Sequence, residues 1–148
     1  MQRSIYACAY VGIYEYICIY MQVVYSGDTR PCNALVREGF GADLLIHEAT
    51  HADDMLDKAR SDRHSTVGEA IDVATRMQAQ HTILTHFSSR WEKLVPDVRA
   101  YGAKAARVAC AVDCMRVPIA RLEDLPGISL RMTDLLQLEY GDDADDGA

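Results

Sequence analysis

The sequence contains no Cys-x-x-Cys pair, and its cysteines are odd in number: Cys8, Cys18, Cys32, Cys110 and Cys114. A disulfide framework needs an even set, and a zinc site built from thiolates usually shows closely spaced pairs. The pattern indicates neither, and it is typical of a protein from a reducing compartment. We expect Cys110 and Cys114 to act as small hydrophobic side chains.

Positive charge is also scarce in this sequence. Lys and Arg number 15 against 22 Asp and Glu, so the formal net charge is -7. This balance excludes a broad basic surface that would hold nucleic acid by charge alone, so any such contact must be local. Part of the acidity lies in residues 141–148, where Asp is mixed with Gly and Ala, and we expect a disordered acidic tail there.

A clean membrane-spanning run is missing as well. Residues 5–24 come nearest, because they approach the roughly 20 residues that a span requires. However, Glu15 interrupts the segment, and its many tyrosines are poor residues for a hydrocarbon core. A secretory signal is only faintly indicated by Arg3 and by Ala7 and Ala9. A membrane or signal segment therefore stays the less favoured alternative to buried strands, and the tyrosine-rich residues 1–21 are left unassigned.

The remaining chain has the pattern of one α/β domain, which we place at residues 22–140. A chain of 148 residues can bury one core. Strands separated by helices pair in parallel through right-handed crossovers, which predicts a layered α/β sheet. The clearest helix starts at Thr66, where Glu69 completes a capping box. Strands are predicted at residues 22–26, 43–48, 82–85 and 106–112, and helices at residues 31–38, within 50–63, at 66–77 and at 91–103.

Polar residues follow the predicted strands at the places where such sheets bind ligands. The carboxyl ends of parallel strands meet at one edge. Asp28 comes just after the first predicted strand, His47 and Glu48 end the second, and His86 follows the third. His64 lies on the loop directly before the capped helix. We expect these side chains to converge.

Each of these residues also has an ordinary structural explanation. Asp28 could cap the helix that follows it, and His86 could be a hydrogen-bonded histidine at a strand end. His47 and Glu48 could form a solvated pair, and His64 could be a plain loop residue. The remaining histidines are predicted to lie on the surface: His51 and His81.

Metal binding is the chemistry that these residue types favour together. Carboxylate oxygen and neutral imidazole nitrogen are donors that a borderline divalent ion such as zinc accepts, and Asp28 and His86 supply one of each. Two ligands do not make a catalytic site, because catalytic zinc usually takes three protein ligands and a two-metal centre takes more. The sequence contains no His-x-His-x-Asp-His cluster that would supply the others.

Four segments of the chain resemble, in order, motifs of ribonuclease Z, the tRNA 3′-processing endonuclease of the metallo-β-lactamase superfamily. They are residues 25–32 (YSGDTRPC), 45–50 (LIHEAT), 64–66 (HST) and 85–90 (THFSSR). The resemblance extends over roughly residues 23–117 and is strongest to the C-terminal part of the long form. It implies the C-terminal half of a metallo-β-lactamase-type αββα fold, incomplete without the other half.

The resemblance also implies a role for five residues of this sequence. Asp28 would bridge two zinc ions, and His86 would bind one of them. His64, oriented by Glu48, would protonate the leaving 3′-oxygen, a task that suits an imidazole beside a carboxylate. Arg90 could hold a substrate phosphate as a forked donor, with a structural ion pair as an equal alternative.

The function that this resemblance implies is removal of the 3′ trailer from tRNA precursors by metal-activated water. The sequence departs from the family because the HxHxDH motif, an upstream ligand histidine and the basic arm that holds tRNA are absent. We therefore expect an incomplete fragment, inactive alone, with a complementing N-terminal half or a homodimer as protein partner and no membrane association. The alternative is a non-catalytic α/β interaction module derived from that enzyme. The implied compartment is intracellular, the nucleus or the mitochondrion.

Overall fold

The computed structural model describes residues 3–11, 15–88 and 95–140. Within them, five strands form one sheet in the order β1-β2-β3-β4-β5. Strands β1 and β2 are antiparallel, whereas each later neighbour pairs in parallel. The strands are β1 (Arg3–Val11), β2 (Glu15–Tyr25), β3 (Leu44–Glu48), β4 (His81–Thr85) and β5 (Val108–Cys110).

Helical segments cross from each parallel strand to the next. The α-helices of the described residues are α1 (Asn33–Glu38), α2 (Leu56–Asp62), α3 (Val67–Met77) and α4 (Leu125–Tyr140), and 3₁₀ segments lie at Asp53–Met55, Val98–Ala105 and Ile119–Asp124. Helix α1 connects β2 to β3, while α2 and α3 connect β3 to β4. This arrangement confirms the predicted α/β fold with a parallel sheet.

Helix α3 begins where the sequence predicts. Thr66 accepts a hydrogen bond from the Glu69 backbone N–H, and the Glu69 carboxylate accepts one from the Thr66 N–H. These bonds satisfy two of the groups that a helix start leaves without partners. The helix stops at Gln78, whose φ of 55° is left-handed. Its apolar side chains are buried: Val67, Ala70, Ile71, Val73, Ala74 and Met77.

The sheet has a helical layer on each face. On one face Leu45 packs with Met77 of α3. On the other face Leu44 packs with Leu122 and with Leu125, the first residue of α4. Adjacent residues of a strand point to opposite faces, so Leu44 and Leu45 reach different layers. Because helices cover both faces of the sheet, the edge formed by the strand ends is the part that a ligand can reach.

Helix α4 is not predicted from the sequence. Its buried positions are Leu125, Ser129 and Thr133, and two further leucines pack against the core while partly buried, Leu130 and Leu136. The Ser129 hydroxyl accepts the Cys110 backbone N–H at 2.9 Å, and the Thr133 hydroxyl donates to the Ser129 carbonyl at 3.0 Å. Because both hydroxyls have hydrogen-bond partners, Ser129 and Thr133 are buried among these leucines without leaving a polar group unpaired.

Several predicted boundaries differ from the structure. The helix predicted at residues 31–38 starts at Asn33, because Cys32 has an extended backbone. The strand predicted at residues 106–112 is confined to β5. Of the helix predicted at residues 91–103, the described part is the 3₁₀ segment Val98–Ala105, which Gly102 interrupts with a φ of 56°. Residues 89–94 and the predicted tail 141–148 lie outside the described residues.

The unassigned N-terminal residues contribute strands. Strand β1 and the first part of β2 pair along their length, with Arg3 opposite Val23, and the last residues of β2 then pair with β3. Among the helices of the described residues, none combines the length and the apolar composition needed to cross a bilayer.

Candidate active site

The strand ends bring together residues that are far apart in sequence. Because β2, β3 and β4 are parallel, they all end at one edge of the sheet. Asp28 lies in the turn after β2, Glu48 is the last residue of β3, and His86 follows β4 directly. His64 reaches the same edge from the loop before α3. The convergence expected from the strand-end rule is therefore present.

Three of these residues form a group that could hold a metal ion. Asp28, His64 and His86 each present a ligand atom, and these atoms all lie within 4.8 Å of one another. Asp28 Oδ2 is 3.8 Å from His86 Nε2. The side chains are 58%, 22% and 48% exposed, respectively, so the group is open to solvent. Carboxylate oxygen and imidazole nitrogen are donors that zinc accepts, and the structure places His64 beside Asp28 and His86, the two ligands predicted from the sequence.

Glu48 lies behind this group and is almost completely buried, with 1% of its surface exposed. Its Oε1 accepts the Thr29 N–H at 2.8 Å, and its Oε2 accepts the Thr50 N–H at 3.1 Å and the Thr50 hydroxyl at 2.8 Å. Burial alone would raise the pKa of this carboxyl, but the hydrogen bonds from Thr50, Thr29 and Ser65 outweigh it and hold the pKa below its ordinary value. Glu48 is therefore a buried carboxylate at neutral pH.

His64 lies between Glu48 and His86. Its Nδ1 is 3.0 Å from Glu48 Oε1, and since an ionised carboxylate can only accept, the imidazole is the donor. Its ring stacks on His86, with centroids 5.3 Å apart and an interplanar angle of 28°. The loop that carries His64 is joined to the residues after β3 by a β-bridge between His51 and Thr66. Nδ1 is thus engaged, which leaves Nε2 as the free nitrogen of the ring.

Arg30 ties the two loops of the site together. Its Nη1 donates to the His64 carbonyl at 2.6 Å, and its guanidinium forms an ion pair with Glu69, the residue that completes the α3 cap. The turn that carries Asp28 is therefore joined to the loop that carries His64. The sequence showed Arg30 only as one residue of a motif, because its partner Glu69 is 39 positions away and no local pattern connects them.

Several alternative interpretations of the site residues are wrong. Asp28 does not cap α1, because the N-cap residue is Cys32. His47 and Glu48 are not a solvated pair, since they are 0% and 1% exposed. His51, predicted to lie on the surface, is 5% exposed. Glu48 and His51 are buried because the loop before α3 packs over the end of β3, which a one-dimensional pattern does not reveal.

His47 is the other buried histidine of this strand end. Its Nδ1 is 2.6 Å from the Glu48 carbonyl, and its Nε2 has no hydrogen-bond partner among the described residues. Burial lowers the pKa of its imidazole, which is therefore neutral at neutral pH. Arg90, predicted to contact a phosphate, lies outside the described residues, so that contact stays a prediction.

The fold and the site define a class of protein. A parallel sheet with helices on both faces carries carboxylate and imidazole donors at its strand ends, as a metal-dependent hydrolase requires. In agreement, residues 19–87 match the β-lactamase superfamily domain.

Comparison with known proteins shows which members of this class the chain is similar to. The chain is 47% identical over 108 residues to the zinc phosphodiesterase ELAC protein 2 homolog of Caenorhabditis elegans, covering 73% of this chain and 12% of the relative. It is 46% identical over 103 residues to the mitochondrial ribonuclease Z of Drosophila melanogaster, covering 70% and 13%. The crystal structure of a long-form RNase Z from yeast superposes with a TM-score of 0.73 at 33% identity, covering 87% of this chain and 17% of that one.

The resemblance inferred from the four motifs is confirmed: the chain carries a β-lactamase superfamily domain and is homologous to proteins named ribonuclease Z. The two relatives are, by name, a zinc phosphodiesterase and a ribonuclease. The chain spans 12% and 13% of their respective lengths.

Proposed function

We propose that this chain is the part of a zinc-dependent endoribonuclease that removes the 3′ trailer from tRNA precursors. The observation that carries the proposal is the meeting of Asp28, His64 and His86 at one sheet edge, with the buried carboxylate of Glu48 behind His64. These residues come from four separate segments, and an ordinary surface loop would not collect them. The names of the related zinc phosphodiesterase and ribonuclease Z support the same chemistry.

Asp28 and His86 would hold zinc, with Asp28 shared between two ions. When bound, zinc activates water and stabilises the negative charge that develops on the phosphodiester. The sequence has no HxHxDH cluster, so further ligands would come from a complementing polypeptide. The open, solvent-exposed position of Asp28 and His86 suits a site that a second surface completes.

His64 would protonate the leaving 3′-oxygen. Glu48 accepts a hydrogen bond from His64 Nδ1, so it fixes the orientation of the ring and balances the charge of its protonated form. The proton to be donated is then held at Nε2, the nitrogen that Glu48 does not engage. Arg90 would hold a substrate phosphate as a forked donor, with a structural ion pair as the equal alternative.

A chimaera tests the proposal. The 108-residue segment of the Caenorhabditis elegans relative that matches this chain would be replaced by the corresponding residues of this chain, so that one polypeptide contains the complete site. We expect the chimaera to remove the 3′ trailer of a tRNA precursor in the presence of zinc. We expect Asp28→Asn and His86→Gln to reduce kcat/KM by at least about 1,000-fold, the scale of losing a major electrostatic contribution to the transition state.

Asp57→Asn is the matched control, because Asp57 has a fully exposed side chain on α2 and the substitution makes the same change of charge. This control variant should cleave like the parent chimaera. Full activity of Asp28→Asn would overturn the metal-ligand assignment. A folded, zinc-binding chimaera that does not cleave would instead favour the non-catalytic α/β interaction module.

The partners follow from the same proposal: a tRNA precursor, and either a complementing N-terminal half or a second copy of the chain. The chain alone, mixed with zinc and the precursor, should not cleave, whereas addition of the remaining part of the relative in trans should restore cleavage. Trailer removal by the chain alone would show that a homodimer or the monomer suffices. We also propose a mitochondrial or nuclear location, the former because the Drosophila relative is named as mitochondrial.

A further inference from the structure

Thr50 lies at the centre of the candidate site, although the sequence showed it only as the last residue of the LIHEAT segment. Its side chain is buried just beyond β3, with 8% of the residue exposed. Its hydroxyl oxygen is 2.8 Å from Glu48 Oε2, 2.8 Å from His86 Nδ1 and 3.2 Å from His64 Nδ1. One hydroxyl therefore connects the carboxylate to both imidazoles.

The direction of these hydrogen bonds follows from counting hydrogens. A hydroxyl has one hydrogen to donate and two lone pairs that accept. Glu48 is a carboxylate, which can only accept, so the Thr50 hydrogen goes to Glu48 Oε2. The lone pairs of Thr50 then face the imidazoles, and a nitrogen in contact with them must carry hydrogen. His86 Nδ1 therefore carries hydrogen and donates it to the Thr50 hydroxyl oxygen.

This assignment determines what the other nitrogen of His86 can do. With hydrogen on Nδ1, the neutral ring has its lone pair on Nε2, the atom that lies 3.8 Å from Asp28 Oδ2. A metal-binding histidine donates its other N–H to a fixed acceptor, which orients the ring and selects the tautomer. Thr50 is such an acceptor, and Glu48 holds it in that orientation.

The backbone gives a reason why His86 needs this support. Its φ is 60°, a left-handed conformation that a residue with a β-carbon adopts at a cost. Its side chain is 48% exposed, so packing restrains the ring only in part. The bond from Nδ1 to the buried Thr50 hydroxyl supplies a fixed point for the ring.

We propose that Thr50 is a positioning residue that holds His86 as the Nδ1–H tautomer with its Nε2 lone pair directed to Asp28, by linking His86 to the Glu48 carboxylate. The use of that lone pair for zinc rests on the proposed function, whereas the tautomer does not. Thr50 itself is not catalytic, since its hydroxyl is committed to Glu48 and to the two histidines.

The tautomer can be measured directly on the metal-free full chain. Histidine ¹⁵N-labelled protein at about pH 8, where unperturbed imidazoles are neutral, gives distinct nitrogen signals for the two tautomers in long-range ¹H–¹⁵N spectra. We expect His86, assigned by the loss of its signals in His86→Gln, to be the Nδ1–H form. We expect Thr50→Val, which keeps the shape and removes the hydroxyl, to convert His86 to a mixture of tautomers.

Two control variants make this result specific. Thr50→Ser keeps the hydroxyl and should retain the Nδ1–H signal. Thr75→Val removes a hydroxyl that, among the described residues, donates to the Ile71 carbonyl on α3, and it should leave His86 unchanged. An Nε2–H signal for His86 in the wild-type chain would overturn the proposal even if Thr50→Val did not fold. An unaltered single tautomer in folded Thr50→Val would overturn it as well.

Calorimetric zinc titration of the chimaera, carrying the same Thr50 substitutions, separates this inference from the proposed function. Loss of an outer partner of a metal ligand typically lowers metal affinity by about 10–100-fold, so Thr50→Val should bind zinc that much more weakly than Thr50→Ser. If the chimaera binds no zinc but the His86 tautomer of the chain depends on Thr50, the proposed function fails and the positioning role stands. If zinc binds equally to both variants while the tautomer is unaffected, the positioning role fails alone.

Discussion

At the scale of single residues, the buried carboxylate of Glu48 is the feature on which the site depends. Burying a charge without partners is costly, and here four residues donate to the carboxylate: Thr29, Thr50, His64 and Ser65. These bonds hold the charge in place and lower the pKa against the opposing effect of burial. The consequence is that Glu48 serves both the fold and the candidate proton donor.

Glu48→Gln should lower the stability of the metal-free chain at pH 7 by about 1–3 kcal/mol, because an amide nitrogen would face N–H and O–H donors that now have an acceptor. The pKa of Glu48 is lowered in the folded chain, so its contribution is present above the ordinary value of 4.5 and is lost as the pH falls through the lower folded value. Urea unfolding at pH 7 and at about pH 3 measures both effects.

The informative quantity is the difference in free energy of unfolding between wild type and Glu48→Gln. It should shrink on acidification, because protonated Glu48 loses the charge that distinguishes it from glutamine. A difference that stays constant or grows at low pH would contradict the assignment of Glu48 as the ionised group.

At the scale of elements, the start of helix α3 links secondary structure to the site. The cap residue Thr66 and its partner Glu69 follow His64 by two and five positions, and Glu69 also binds Arg30 from the Asp28 turn. A change in the cap therefore disturbs the helix and the position of two candidate functional residues at once.

Thr66→Ala should destabilise the chain by about 0.5–2 kcal/mol, the usual cost of losing an N-cap hydroxyl. Thr66→Ser retains the cap oxygen, and we expect it to remain within about 0.5 kcal/mol of wild type. Chemical denaturation followed by circular dichroism measures both. Equal stability of the Ala and Ser variants would show that the capping box contributes nothing to this helix.

At the scale of the whole molecule, the charge of -7 opposes contact with a polyanion. Non-specific protein affinity for nucleic acid comes mainly from Lys and Arg neutralising phosphates. Under the proposed function, a segment with this charge would supply catalytic groups, while most of the affinity for RNA would come from another part of the enzyme. This separation of catalytic groups from RNA affinity is consistent with a chain that spans about an eighth of the length of its relatives.

We therefore expect the chain alone to bind a tRNA precursor with a Kd weaker than about 100 µM at about 0.15 M salt, the weak end of non-specific binding. Gel-shift titration checks this, with the chimaera as the comparison that should bind more tightly. Submicromolar binding by the isolated chain would contradict the inference and would point to a local basic surface that the net charge conceals.

Some residues of the candidate site could be predicted from the sequence, and others could not. Four site residues could be predicted from the sequence, because each follows or ends an apolar strand or precedes a helix cap: Asp28, Glu48, His64 and His86. The role of Thr50 could not be predicted, because the sequence does not show which groups its hydroxyl will bind.

Local chemistry along the sequence was enough to determine the parallel strands, the capped start of α3 and the edge at which polar residues would meet. Those features depend on neighbours within a few positions, such as Thr66 and Glu69. Tertiary structure alone decided the burial of Glu48, the Arg30 ion pair and the burial of two hydroxyl side chains on α4. Each of these depends on groups brought together across the sheet, where distance in space has no relation to distance along the chain.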